Sequence, residues 1–307
     1  MGSETKIFLV FNTACFGDVL VCNSLVQNIK LAYPNSKVVF VCDKNFYEAA
    51  KYQKDVDEVA IYDKRGIHKG LDGFFRFIKT FAYKNPYAAF ITYPNMRNYF
   101  AAKLLGCKYV VEGKNFRKSN LSTQEQHTNL LTKITKQEIK NLPIEFVVEN
   151  NIPEHLQSLI NKNEKYIGLC ALTKNPPKDM PIETAIDLIK KINQSASFKV
   201  ILFGVGKNNR DYAEQLRLAG CDFVDLVNKT SIYELAQVLK VCKALVSVDT
   251  GTMHLGYAVK TPVVSVFYEK ITLNNWAPNP ELYKAITISE NQAGSNVYDK
   301  ILELIGE

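Results

Sequence analysis

Short apolar runs rich in β-branched residues alternate with longer amphipathic stretches along nearly the whole of this chain. That alternation of periods 2 and 3.6 is the signature of repeated βα units. In the first half the pattern predicts strands at 6–11, 37–43, 58–62, 87–92 and 108–112. Helices are expected between and after them at 18–33, 45–53, 71–83, 97–106 and 124–139. A run such as VVFVC at 38–42 is apolar on both faces, which suits a parallel strand covered on both sides. The polar segment 113–123 reads as a loop.

A break flanked by prolines, NLPIEFVVENNIP at 141–153, interrupts the alternation. The pattern then restarts, with strands at 166–171, 198–204, 222–226, 244–248 and 262–267. Helices are expected at 181–194, 207–219, 231–241 and 251–259. A tail holding Trp276, a strand near 284–289 and a helix at 293–306 follow. Two domains are therefore expected, 1–150 and 151–307, with the last helix having the reach to pack back on the first. Right-handed crossovers would give each an open parallel sheet. The expected fold class is α/β: two Rossmann-like sheets facing a central cleft bordered by the carboxyl ends of their strands.

The 307 residues are 47% hydrophobic and 22% charged, a globular mixture that excludes a disordered chain, a collagen and a coiled coil. Nothing approaches 18 continuous apolar residues, so no membrane-spanning helix is expected. The opening residues carry charge and then a strand-like run, unlike a signal peptide. Seven cysteines form no CxxC and no Cys/His cluster, so they read as buried thiols of a soluble, cytoplasmic protein with no metal site. The formal charge of +7 belongs to the first half. It thickens at Arg97, Lys103, Lys108, Lys114, Arg117 and Lys118, which face only Glu112. This stretch is either a solvated face or a docking surface for a phosphate-bearing or anionic-lipid partner, with Tyr93, Tyr99 and Phe116 as interfacial aromatics. No nucleic-acid motif accompanies it.

Two motifs could carry chemistry. The first strand runs into N-T-A-C-F-G-D, Asn12 to Asp18, which has neither the G-x-G-x-x-G of a dinucleotide site nor a P-loop. Asp18 is then either a helix N-cap or a general base for a hydroxyl nucleophile. The strand ALVSVD ends at Asp249 and enters T-G-T-M-H, Thr250 to His254. Gly251 allows close approach, and the N–H groups opening the helix suit phosphate oxygens. The alternative is a capped helix with an incidental histidine. Lys178 in TKNPPKDMP could neutralise a diphosphate or be a solvated loop lysine. Gly204 and Gly206 leave room for a planar ligand or relieve a tight turn. N-K-T-S at Asn228–Ser231 reads mainly as an N-cap signal.

In this order the motifs resemble the heptosyltransferase family, the GT-B glycosyltransferases of glycosyltransferase family 9 that build the inner core of bacterial lipopolysaccharide. The carriers are G-D-V-L at Gly17–Leu20, N-I-K-L-A-Y-P at Asn28–Pro34, and D-V-D-E-V at Asp55–Val59 with Asp63–Gly66. The most specific is the run from Lys229 through V-S-V-D-T-G-T-M-H-L to Phe267. The resemblance implies an acceptor-binding first domain and a nucleotide-sugar-binding second domain. It implies inverting transfer of heptose from ADP-heptose to a lipopolysaccharide or lipooligosaccharide core, without cofactor or metal. Asp18 falls on the catalytic base and Lys178 on the lysine that stabilises the leaving diphosphate. Asp249, Thr250, Gly251 and His254 fall on the donor motif, and Thr230 on the adenine pocket. The implied partners are the nucleotide sugar, a phosphorylated glycolipid and an anionic membrane surface, at the inner face of the cytoplasmic membrane. The chain differs from the family pattern at Tyr268–Lys270, Asn208, Met180 and Tyr93–Asn95. The first three bear on the donor and leave another nucleotide sugar as an alternative, the last bears on the acceptor, and a catalytically silent GT-B binding subunit is a separate alternative.

Overall fold

The computed structural model describes residues 5–113, 120–289 and 293–306. The chain divides into two compact units, Met1–Val147 and Val148–Glu307. In the first, β1 (Lys6–Phe11), β2 (Ser36–Cys42), β3 (Glu58–Ile61), β4 (Ala88–Ile91) and β5 (Tyr109–Glu112) form one sheet in the order β3-β2-β1-β4-β5. Every pairing is parallel, with Val10 opposite Phe40 on one side and Phe90 on the other. Its helices are α1 (Phe16–Leu20), α2 (Asn23–Ala32), α3 (Tyr47–Lys51), α4 (Gly70–Thr80), α5 (Met96–Leu104), α6 (Thr123–Thr128) and α7 (Thr132–Thr135). Phe8, Phe11, Phe40 and Phe90 are wholly buried in this sheet. Each contributes about 1.5–3 kcal/mol by leaving water.

Helices α4 and α5 cover one face of the sheet. Phe74, Phe77, Ala101 and Ala102 pack there on Leu9, Phe11, Val39 and Ile91. Gly73 sits inside α4 because the chain passes too close for a side chain. A Cβ there would lie 2.3 Å from the His68 carbonyl carbon. On α2 the polar residues are buried as well, because they anchor the segment that ends the unit. Gln27 Nε2 donates to the Pro143 carbonyl at 2.7 Å, Asn28 Nδ2 to that of Lys140 at 2.9 Å, and Asn23 Oδ1 accepts from Glu145 N–H at 2.8 Å. Ile144 and Phe146 are buried, so the early part of the 141–153 break is packed rather than a bare linker.

The second unit holds β6 (Tyr166–Cys170), β7 (Lys199–Leu202), β8 (Val224–Asp225), β9 (Cys242–Val248), β10 (Val263–Phe267) and β11 (Ala285–Ser289). They form a parallel sheet in the order β11-β10-β9-β6-β7-β8. Helices α8 (Ile182–Ser195), α9 (Lys207–Leu218), α10 (Ile232–Val241), α11 (Gly251–Ala258), α12 (Lys270–Trp276) and α13 (Ala293–Ile305) surround it. The final helix α13 lies on the sheet of this same unit, with Val297, Ile301 and Leu304 in a core shared with α8.

Three elements differ from the sequence pattern. The helix expected at 18–33 starts at Phe16 and breaks into α1 and α2, for a reason given below. The helix expected at 124–139 is a chain of short turns that stops where Lys136 adopts a left-handed φ of 58°. The tail around Trp276 is a helix, α12. Six of the seven cysteines are buried, whereas Cys15 is exposed, and those in the described residues are free thiols. Burial pushes the Cys22 and Cys42 thiols up to about 12. Among the described residues no helix is long and apolar enough to cross a membrane.

Candidate functional site

In each sheet the strand order reverses direction once. In the first sheet this happens between β1 and β4, in the second between β6 and β9. Crossovers depart to opposite sides at such a point, leaving the carboxyl ends of the two strands uncovered and open to a ligand. Asp18 follows β1 in the first unit, and Lys178, Asp249 and Thr250 follow β6 and β9 in the second.

In the first unit, Asn12 and Thr92 follow the ends of β1 and β4. Asn12 is buried and bonded throughout. Its Nδ2 donates to Thr92 Oγ1 at 3.0 Å and to the Asp18 carbonyl at 3.0 Å, while its Oδ1 accepts from Ala14 N–H at 3.1 Å. Thr92 in turn donates to the Phe11 carbonyl at 3.0 Å. Cys22 Sγ adds a second bond to the Asp18 carbonyl at 3.2 Å. With that carbonyl occupied by side chains, Cys22 N–H turns to Val19 instead, at 3.3 Å. The helical ladder therefore breaks between α1 and α2, fixing the turn that carries Asp18. Asp18 is not the N-cap: Cys15 holds that position without a side-chain capping bond, and Asp18 is half-buried in the first turn. A carboxylate there is favoured by the partial positive charge of the helix start.

Beneath this turn His127 lies 3.5 Å from Cys22 Sγ through Nδ1. Burial lowers its pKa to about 3, so it is neutral at physiological pH. On another side Lys64 Nζ donates to Thr13 Oγ1 at 2.6 Å, and Asn98 Nδ2 approaches the same oxygen at 3.4 Å. Burial depresses the Lys64 ammonium, and Arg97 adds repulsion. Sequence reasoning gave Asn12, Thr92, His127 and Asn98 no role. The available signal was a polar residue directly after each of two apolar runs that become neighbours in the sheet.

Of the basic residues singled out, Arg97 is turned inward. Its guanidinium donates to Tyr62 Oη, to the His68 carbonyl and, at 2.7 Å, to that of Gly70, and it stacks 5.5 Å from the Phe74 ring. It braces the 62–70 segment against α5 rather than standing on a solvated face. Lys103 is exposed. Lys114, Arg117 and Lys118, with Phe116, lie outside the described residues.

In the second unit three loops leave the carboxyl ends of neighbouring strands β9, β6 and β7. Asp249 and Thr250 follow β9, and Thr250 is the N-cap of α11 with extended backbone and no side-chain cap bond. Lys178 comes from the loop after β6 and ion-pairs with Asp249, Nζ to Oδ2 at 2.7 Å. That loop is tied down by Thr173 N–H to Asp179 Oδ1 at 2.6 Å and Met180 N–H to the Ala171 carbonyl at 2.8 Å. Met180 itself is a core side chain. The 203–206 loop after β7 is joined to the one before Thr230: Gly206 N–H donates to Asn228 Oδ1 at 2.6 Å, and Asn228 N–H to the Gly204 carbonyl at 2.9 Å. Gly206 has φ 94°, so its glycine serves the backbone turn. Thr230 is half-buried just ahead of the Ser231–Glu234 capping box of α10.

His254 is not at the surface of the motif. It is buried, bonded through Nδ1 to Tyr257 Oη, with the Trp276 ring 5.6 Å away. Burial lowers its pKa to about 4. It supplies a neutral ring to the packing under α11, not a cation. Among the described residues no group of acidic, cysteine or histidine side chains is arranged to hold a metal.

Residues 61–304 match the model of glycosyltransferase family 9 (heptosyltransferase). Over 80 residues the chain is 30% identical to lipooligosaccharide heptosyltransferase 2 of Campylobacter jejuni, a stretch that covers 25% of this chain and 25% of that protein. Its structure is similar to the glycosyl transferase family 9 protein of Veillonella parvula, with a TM-score of 0.81 and 17% identity over 99% of this chain and 98% of that one. It is also similar to E. coli ADP-heptose lps heptosyltransferase II, with a TM-score of 0.77 and 15% identity over 98% of each chain. These likenesses establish a fold of two parallel-sheet α/β domains of the GT-B type. With the family match running from the end of β3 into α13, the chain belongs to glycosyltransferase family 9 (heptosyltransferase).

Proposed function

We propose that this protein is an inverting glycosyltransferase that moves a heptose from ADP-heptose to a lipopolysaccharide or lipooligosaccharide core at the cytoplasmic face of the membrane. The observation that carries this reading is the family match over residues 61–304. The second unit receives the nucleotide sugar. Its diphosphate lies against the N–H groups of Thr250 to Thr252, and Lys178 turns from Asp249 to the departing phosphate. Thr230 lines the base pocket. Asp18 of the first unit takes the proton from the acceptor hydroxyl as that oxygen bonds to the anomeric carbon, and ADP leaves with the electron pair of the broken C–O bond. General-base help of this kind accounts for about 10²–10⁴-fold in rate, and cationic stabilisation of the leaving group adds to it.

Asp18→Asn should therefore lower kcat by about a thousandfold and leave donor affinity unchanged by calorimetry. Wild-type turnover in that variant would remove Asp18 from the role. For the overall reaction, purified protein is incubated with ADP-heptose and a truncated core lipid, and the lipid is weighed by mass spectrometry for one added heptose. A second reading keeps the fold and changes the donor, supported by Tyr268–Lys270 and the exposed Asn208. Transfer from a UDP- or GDP-sugar with none from ADP-heptose would select it. Donor binding without turnover, with or without Asp18, would mark a silent binding subunit.

A further inference from the structure

The outer helices of the first unit carry large apolar side chains that stand exposed among the described residues. On α4, Leu71 and Phe75 are 76% and 57% exposed. On α5, Met96, Phe100 and Leu104 are 64%, 51% and 55% exposed. The spacing is i, i+4 on α4 and i, i+4, i+8 on α5, so each set forms one line along its helix. The two helices cover the same face of the sheet and are fastened side by side by Arg97, which leaves α5 and bonds the Gly70 carbonyl at the start of α4. The exposed lines therefore belong to one layer. The second unit has nothing comparable: among its described residues the exposed large apolar side chains are Leu159, Val205 and Leu218, scattered over separate elements.

Charge decides what this layer fits. The two helices contain one acid, Asp72, against Arg76, Lys79, Arg97 and Lys103. Arg97 is used internally, but Arg76, Lys79 and Lys103 are exposed beside the apolar lines. Apolar side chains that insert at headgroup depth, ringed by cations, are the composition of a surface that lies on an anionic bilayer. A protein–protein face of this size would not require the excess of one sign.

We propose that the α4–α5 layer docks the protein on anionic lipid, with Leu71, Phe75, Met96, Phe100 and Leu104 entering the headgroup boundary and Arg76, Lys79 and Lys103 meeting lipid phosphates. This extends the proposed action on a lipid-borne acceptor, but its test needs no sugar donor or acceptor. The full chain is sedimented with vesicles of phosphatidylcholine, with and without phosphatidylglycerol. Wild type should partition to the anionic vesicles and be released by salt. Phe75→Ser with Phe100→Ser should weaken that partition by about tenfold or more, while circular dichroism and melting stay unchanged because both rings are exposed. In a separate variant, Phe100→Trp, the emission should shift to the blue on adding anionic vesicles. The proposal is overturned if wild type ignores the anionic lipid, or if the double variant partitions as wild type does. It is also overturned if the Phe100→Trp emission stays unshifted. A dimer in sedimentation velocity that the double variant dissolves, without vesicle binding, would reassign the layer to self-association.

Discussion

The Lys178–Asp249 pair can be tested for what it does before any ligand arrives. Asp249 keeps 7% of its side-chain surface and Lys178 keeps 19%, across a contact of 2.7 Å. That inequality makes the two single substitutions unequal. Lys178→Met leaves a carboxylate almost closed off from water and without its cation. Removing one partner of a buried pair costs about 3–5 kcal/mol, and the partial opening of this one places it near the low end, at about 3 kcal/mol. Asp249→Asn leaves an ammonium on a flexible stem that can turn its head to solvent, and the amide still accepts a hydrogen bond, so about 1 kcal/mol is expected. The double variant buries neither charge and should lose only about 1–2 kcal/mol, less than Lys178→Met alone. The resulting coupling is about 2–3 kcal/mol. The assay is urea unfolding followed by fluorescence of Trp276, the single tryptophan, which lies in α12 and so reports the second unit. Additive losses within about 0.5 kcal/mol, or Asp249→Asn costing more than Lys178→Met, would refute the reasoning.

Two further predictions follow from burial. His127 and His254 are held neutral down to about 3 and about 4, whereas unfolded imidazoles take up a proton below about pH 6.5. The unfolded state therefore binds more protons under acid. Stability should be whole above pH 6.5 and fall below it by up to about 1.4 kcal/mol per pH unit for each histidine. His127→Gln should flatten the urea-midpoint profile between about pH 3 and 6.5, the span in which only the unfolded ring titrates, and an unchanged slope would count against it. Gly73→Ala should destabilise the chain by about 2 kcal/mol, because a Cβ meeting the His68 backbone outweighs the helix preference for alanine. A raised melting temperature would contradict that contact.

Much of the architecture was legible in the sequence because a buried parallel strand needs apolar residues on both faces, and KIFLVF, VVFVC and ALVSV supply them. The breaks were not legible. Nothing in a periodic pattern says that the Asp18 carbonyl will be claimed by the side chains of Asn12 and Cys22, and that competition splits the first helix. Helix α12 was missed because LNNW is a weak helix former whose support comes from packing, with Trp276 against His254. At the candidate sites the residue types on the loops were readable, whereas their partners were not. Arg97 looked like surface charge until Tyr62, His68 and Gly70 were brought to it by the fold, and nothing in the sequence told that His254, on the donor motif by resemblance, would be enclosed by Tyr257 and Trp276.

The bond from Asn12 to Thr92 joins residues 80 apart in sequence. It can exist only after β4 has taken its place beside β1, since no local interaction holds the two side chains together. The turn that presents Asp18 is thus completed only once the two central strands have paired. In this protein the competence of the Asp18 turn is therefore a report on long-range pairing in the first unit, which the mere presence of helices and strands does not give.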